Sequence, residues 1–122
     1  RQPGAAVDVL RARYAAGQIG SIAIVHIGNN GPFTVAQIDE IMRLLSGTRR
    51  VVFVNVKVPR QWESPNNVTM AEQVRRYSNA VLVDWYAVSH NRPELFYDDG
   101  VHLRPEGARV YAALIASVFA GP

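Results

Sequence analysis

Ser21-Ile22-Ala23-Ile24-Val25-His26-Ile27 is a nearly continuous apolar run, and Gly28-Asn29-Asn30-Gly31-Pro32 ends it. Such a run suits a strand covered on both faces, as in a parallel sheet, where a strand with one wet face would alternate. Gly, Asn and Pro then break it. Upstream, Val7, Leu10 and Tyr14 share one helical face over residues 3–16, with Pro3 near the start and Gly17 as the stop. Downstream, Thr34 and Gln37 carry a capping-box spacing. Ile38, Ile41, Met42 and Leu45 follow at helical intervals up to Ser46-Gly47. Residues 51–58 read as a second buried strand and residues 81–83 as a short third one. Residues 68–79 read as a helix between them, through Val68, Ala71 and Val74. Residues 59–67 are expected to be loop, and so is a stretch of about twenty residues ahead of Pro105, long enough in a small domain to suggest function. Pro105 opens a last helix whose apolar face is Val110, Tyr111, Leu114, Ile115, Val118 and Phe119, up to Gly121.

Strands alternating with helices predict an α/β fold with a parallel sheet. Ligands in such sheets bind beyond the carboxyl ends of the strands. That gathers residues 28–31, 59–67 and 85–102 on one rim. The 122 residues form one domain, 1–122, with 48% apolar and 19% charged residues, which excludes a disordered chain. Cysteine is absent, which removes disulfides, thiolate metal sites and cysteine nucleophiles. The net charge is +3 with scattered bases, and no basic stripe with interleaved aromatics points to nucleic acid. No apolar run is long enough to cross a bilayer.

Asp98-Asp99-Gly100-Val101-His102-Leu103-Arg104-Pro105 is the most informative stretch for chemistry. A carboxylate three residues before a histidine, just ahead of a helix, can hold the imidazole in one tautomer. The histidine then serves as general base to a hydroxyl and general acid to a leaving group. A capped helix start with a surface histidine reads equally from these residues. A side-chain amide in Gly28-Asn29-Asn30-Gly31 can donate to an oxyanion, although Asn and Gly are also ordinary turn residues.

Together these residues resemble the SGNH (GDSL-type) hydrolase superfamily, whose fold is a three-layer, flavodoxin-like parallel sheet with helices on both faces. Gly28-Asn29-Asn30-Gly31-Pro32 is similar to its third block and Asp99-Gly100-Val101-His102-Leu103 to its fifth. The resemblance implies His102 as base, Asp99 as its partner and Asn30 as the oxyanion-hole amide. Asn-Gly-Pro in the third block, Asp84-Trp85-Tyr86, and Gly107 shortly after the fifth block look like extracytoplasmic SGNH domains that follow a multi-span acyltransferase membrane domain. Those domains place acetyl groups on cell-wall or surface polysaccharide. The implied partners are an acyl donor and a polysaccharide acceptor, with an extracytoplasmic location and no cofactor.

One departure is large. The family's Gly-Asp-Ser block is absent, and none of Ser21, Ser46, Ser64, Ser78, Ser89 and Ser117 follows Gly-Asp or sits in a Gly-x-Ser-x-Gly elbow. The chain also begins with Arg1, so the expectation is the C-terminal portion of such a domain. Two strands and a helix, with the nucleophilic serine, would then be supplied by a missing N-terminal segment, leaving the strand at 21–27 an open edge. A plain secreted carbohydrate or lipid esterase and a non-catalytic α/β binding module remain alternatives. Trp62, Arg60 and Asn29 are substrate-binding candidates, although Trp62 serves as well to cover core and Arg60 to face solvent. Asp98 competes with Asp99 for the histidine. Asp84 is expected to order the rim, Trp85 and Tyr86 to pack beneath it, His26 to be a core residue and His90 to lie at the surface. Three histidines so far apart form no local metal motif.

Overall fold

The structure, a computed structural model, describes residues 22–118. The helix expected over residues 3–16 lies outside them, as do Ser21, Phe119 and Gly121. Three strands, β1 (Ile22–His26), β2 (Arg50–Val54) and β3 (Ala80–Val83), form one parallel sheet in the order β1-β2-β3. The helices are α1 (Val35–Leu44), α2 (Glu63–Val74), α3 (Trp85–Ser89) and α4 (Pro105–Ser117), with a short 3₁₀ turn, Pro93–Leu95, before α4.

The two-residue period of β2 divides the core into two layers. Val51 and Phe53 face Ile38, Ile41, Met42 and Leu45 around α1, and Met70 and Val74 of α2. Val52 and Val54 face Trp85, Leu95 and Phe96, with Val110, Tyr111, Leu114 and Ile115 of α4. Helices thus cover both faces of β2, which is why its residues are apolar on both sides. The capping box of α1 is present: the Thr34 hydroxyl accepts from the Gln37 amide at 3.1 Å, and the Gln37 side chain accepts from the Thr34 amide at 2.9 Å. Ile38, Ile41 and Leu45 are fully buried, each worth about 1.5–3 kcal/mol of transfer free energy.

β1 is an edge strand among the described residues. Ala23 and Val25 join the α1 layer, whereas Ile22 and Ile24 on its other face are each 52% exposed.

Three expectations are corrected. β2 stops at Val54, although residues 55, 56 and 58 remain buried. Beyond Val54 side chains take over the backbone pairing: Asn67 accepts from the Val56 amide at 2.9 Å and donates to its carbonyl at 2.8 Å, and Glu63 accepts from the Val58 amide at 2.7 Å. α2 begins at Glu63 and ends at Val74, not 68–79. Pro65 lies in its first turn, where the missing N–H had no intrahelical partner to lose. Finally, the stretch expected as loop before Pro105 contains α3 and the 3₁₀ turn. Asp84 caps α3, accepting from the Ala87 amide at 2.9 Å and from the Asn55 side chain at 2.8 Å.

Candidate active site

Residues 96–103 form a small antiparallel hairpin closed by a Phe96–Leu103 bridge and by the Tyr97 amide donating to the His102 carbonyl at 2.9 Å. Gly100 turns the chain at φ +71°, a conformation that favours glycine. One Asp99 oxygen accepts from the Val101 amide at 2.9 Å and the His102 amide at 3.0 Å. The other accepts a short hydrogen bond from His102 Nδ1. The His102 hydrogen bond, then the two amides, hold the Asp99 carboxyl at about 2, well below its ordinary range. With Nδ1 committed to Asp99, Nε2 is left to accept a proton. The histidine side chain is 79% exposed.

Asp98 does not compete: its side chain points into solvent and approaches Arg104 at 3.8 Å. Arg104 in turn ties the hairpin down, donating its backbone amide to the Leu95 carbonyl at 2.9 Å and its side chain to the Phe96 carbonyl at 2.8 Å. Beneath it Gly107 is buried in α4 against Leu95; a Cβ there would lie 2.1 Å from the Leu95 carbonyl oxygen. The hairpin's seat therefore depends on a missing side chain.

The turn after β1 stands opposite. Asn29 and Asn30 line two adjoining clefts, and His102 and Val101 line both as well. One cleft is completed by His26, Gly28, Lys57, Trp85 and Tyr111. The other is completed by Arg60, Trp62 and Asp99. The carboxyl ends of the strands thus bring together His102, Asp99, Asn29, Asn30, Arg60 and Trp62. The half-buried Trp62 donates its indole N–H to the Asn29 carbonyl at 3.2 Å, so its ring forms a fixed wall.

The sequence reading missed the residue that holds this turn. Asn66, 2% exposed, accepts from the Phe33 amide at 3.2 Å and donates to the carbonyls of Gly28 at 3.2 Å and Gly31 at 3.0 Å. Gly28 has φ +105°, and a Cβ there would come within 3.0 Å of both Asn66 and Phe33. A polar residue directly after Pro65 reads as loop, and no local signal marks it as inward-facing.

His26 is not a core residue. It stands exposed at the end of β1, stacked on Tyr111 with ring centroids 5.5 Å apart. The Tyr111 hydroxyl, its pKa pushed up to about 12 by burial, stays protonated and lies 2.5 Å from His26 Nδ1. Trp85, 2% exposed, packs under the rim against Phe96 and Tyr111. His90 stacks on Tyr86 and lines neither His102 cleft. Ser64 lies in α2, and buried Ser89 donates to the Trp85 carbonyl at 2.7 Å. Among the described residues no serine lines either cleft that contains His102.

No family model matches the chain. It is 38% identical over 94% of its length to YrhL of Bacillus subtilis, of which it covers 18%. It is 38% identical over 80% of its length to the peptidoglycan O-acetyltransferase OatA of Listeria monocytogenes, of which it covers 15%. It is 36% identical over 79% of its length to the O-acetyltransferase OatA of Staphylococcus aureus, of which it covers 16%. The chain therefore spans less than a fifth of these curated relatives. A solved carbohydrate esterase of family 3 from Talaromyces cellulolyticus shares the fold with a TM-score of 0.70 at 17% identity, over 98% of this chain and 66% of that one. The chain is homologous to a segment of the OatA-type peptidoglycan O-acetyltransferases and shares an α/β flavodoxin-like fold with the solved esterase.

Proposed function

We propose that this chain is the histidine–aspartate portion of an SGNH-type serine O-acetyltransferase domain that modifies cell-wall polysaccharide outside the cytoplasmic membrane. The Asp99–His102 pair, held on a hairpin across a shared cleft from Asn30, is the observation that carries the reading. The names of the relatives supply the acyl group and the class of acceptor. Among the described residues no helix is long and apolar enough to cross a membrane. The proposal further includes an upstream membrane acyltransferase domain, on the sequence resemblance, and a segment outside this chain that carries the serine and pairs along β1.

In the proposed reaction the serine Oγ attacks the carbonyl carbon of an acetyl donor while His102 Nε2 takes the hydroxyl proton. The carbonyl π electrons move to oxygen, where the Asn30 side-chain amide and backbone amides stabilise the oxyanion. Collapse expels the donor's leaving group, which receives the proton from His102 and leaves an acetyl-serine. An acceptor hydroxyl then attacks, again losing its proton to His102, and the serine departs with that proton. Asp99 stays ionised throughout and fixes the imidazole. Arg60, Trp62 and Asn29 bind the acceptor beside His102.

The exposure of His102 favours a second reading, a carbohydrate esterase, in which water replaces the acceptor hydroxyl. Both readings are tested on the protein with its upstream segment, using a soluble acetyl ester and increasing amounts of oligosaccharide. The transferase yields acetylated sugar in competition with free acetate, and the esterase yields acetate alone. His102→Ala should lower either activity by on the order of 10⁴-fold or more. Unchanged turnover in that variant would leave only a binding module.

A further inference from the structure

Lys57 and Arg60 stand on either side of His102, Lys57 in the cleft with Tyr111 and Arg60 in the cleft with Trp62. Neither meets a carboxylate among the described residues. The half-buried Lys57 runs over Phe96, its ammonium 5.7 Å from the ring centroid. The Arg60 guanidinium donates to the neighbouring Pro59 carbonyl at 2.9 Å.

Asp98 and Glu94 border a third cleft with Lys57, each beside an arginine. Asp99 holds His102, Asp98 lies near Arg104, Asp84 caps α3, and Glu63 accepts from the Val58 amide. Four arginines meet acids: Arg43 meets Glu40, Arg76 meets Asp39, Arg92 meets Glu94 and Arg109 meets Glu106. Lys57 and Arg60 thus border the His102 clefts with no described carboxylate within salt-bridge distance, a condition they share with Arg49, Arg50 and Arg75 elsewhere on the chain. Cations that border a cleft without a carboxylate partner offer charge-assisted hydrogen bonds to a bound anion. A guanidinium beside a fixed indole suits a sugar whose ring lies on the indole and whose carboxylate meets the fork.

We infer that the glycan bound here carries free carboxylates, taken by Arg60 beside Trp62 and by Lys57 across His102. The inference rests on the proposed function for its choice of a glycan, and it names the chemical class of that glycan.

The test is binding to the protein with its upstream segment, read by calorimetry without turnover. The probes are a carboxylate-bearing oligosaccharide and the same oligosaccharide with its carboxylates converted to amides. The free acid should bind about tenfold more tightly at low salt, with the preference shrinking as salt rises. Lys57→Gln and Arg60→Gln should each cut the preference several-fold, with circular dichroism matching the wild type, and Arg60→Lys should recover part of it. Equal affinities, a preference unmoved by both substitutions, or tighter binding of a phosphorylated oligosaccharide would overturn the inference. Equal affinities with intact acetyl transfer would sink this inference alone. A preserved preference without acetyl transfer would sink the proposed function alone.

Discussion

Replacing Gly107 by alanine should destabilise the fold, opposite to the usual effect of that change in a helix. In an open helix interior Gly→Ala gains about 1 kcal/mol. Here the new Cβ would lie 2.1 Å from the Leu95 carbonyl oxygen, 3.0 Å from its carbonyl carbon and 3.2 Å from its Cβ. Relief requires α4 and the Leu95 backbone to separate by more than about 1 Å, since ordinary contact begins near 3.4 Å. Leu95 is fully buried, and its carbonyl accepts from the Arg104 amide at 2.9 Å. Overpacking costs about 1–3 kcal/mol and a weakened hydrogen bond about 1 kcal/mol. After the propensity gain the net loss is about 2 kcal/mol, or a Tm lower by about 8 °C in a domain of this size. The hairpin carrying Asp99 and His102 is tied to Leu95 and Phe96 through Arg104, so activity should fall further than stability. A misplacement of about 1 Å can cost on the order of 10²-fold. The assay is thermal unfolding by circular dichroism, with turnover measured well below Tm. An unchanged or raised Tm would refute the close packing of α4 on Leu95.

Asn66→Ala should strand the Phe33 amide and the Gly28 and Gly31 carbonyls, costing about 2–4 kcal/mol in urea unfolding; a loss below about 0.5 kcal/mol would mean the turn after β1 holds itself. Asp99 should titrate near 2 by carboxyl carbon NMR. Because its folded value lies below its ordinary 3.8, what it contributes to stability is complete above about pH 4 and is lost as pH falls through 2. A midpoint near 3.8 would mean the His102 hydrogen bond does not form. Asp99→Asn should keep the hairpin yet lower kcat by on the order of 10²–10⁴-fold, since the imidazole tautomer is no longer fixed; wild-type kcat would remove Asp99 from the mechanism.

β2 was legible because helices on both faces make its run apolar throughout, and β1 because its run is as apolar although Ile22 and Ile24 face outward, each 52% exposed. The capping box of α1 and the proline start of α4 were legible because their signals are local. α2 was misplaced because Pro65, Asn66 and Asn67 read as breakers. The proline sits where no helical hydrogen bond is lost, and the two asparagines face inward as backbone partners. The end of β2 was overrun for a related reason: burial continues past Val54 while side chains replace the ladder. Asp99 and His102 could be read because they lie only three positions apart. Asn66 and Gly28 meet across 38 positions, and Lys57 and Arg60 are cations like any others until the fold sets them at the His102 clefts.

The account's central claim is that His102 and Asp99 activate a serine supplied from outside this chain. Intact mass spectrometry after treatment with a fluorophosphonate serine probe tests it most directly, on the protein with its upstream segment and on its His102→Ala variant. The account predicts one adduct, on the upstream segment, in the wild type and none in the variant under the same exposure. Equal labelling of both proteins, or an adduct on one of the serines within these 122 residues, would contradict it.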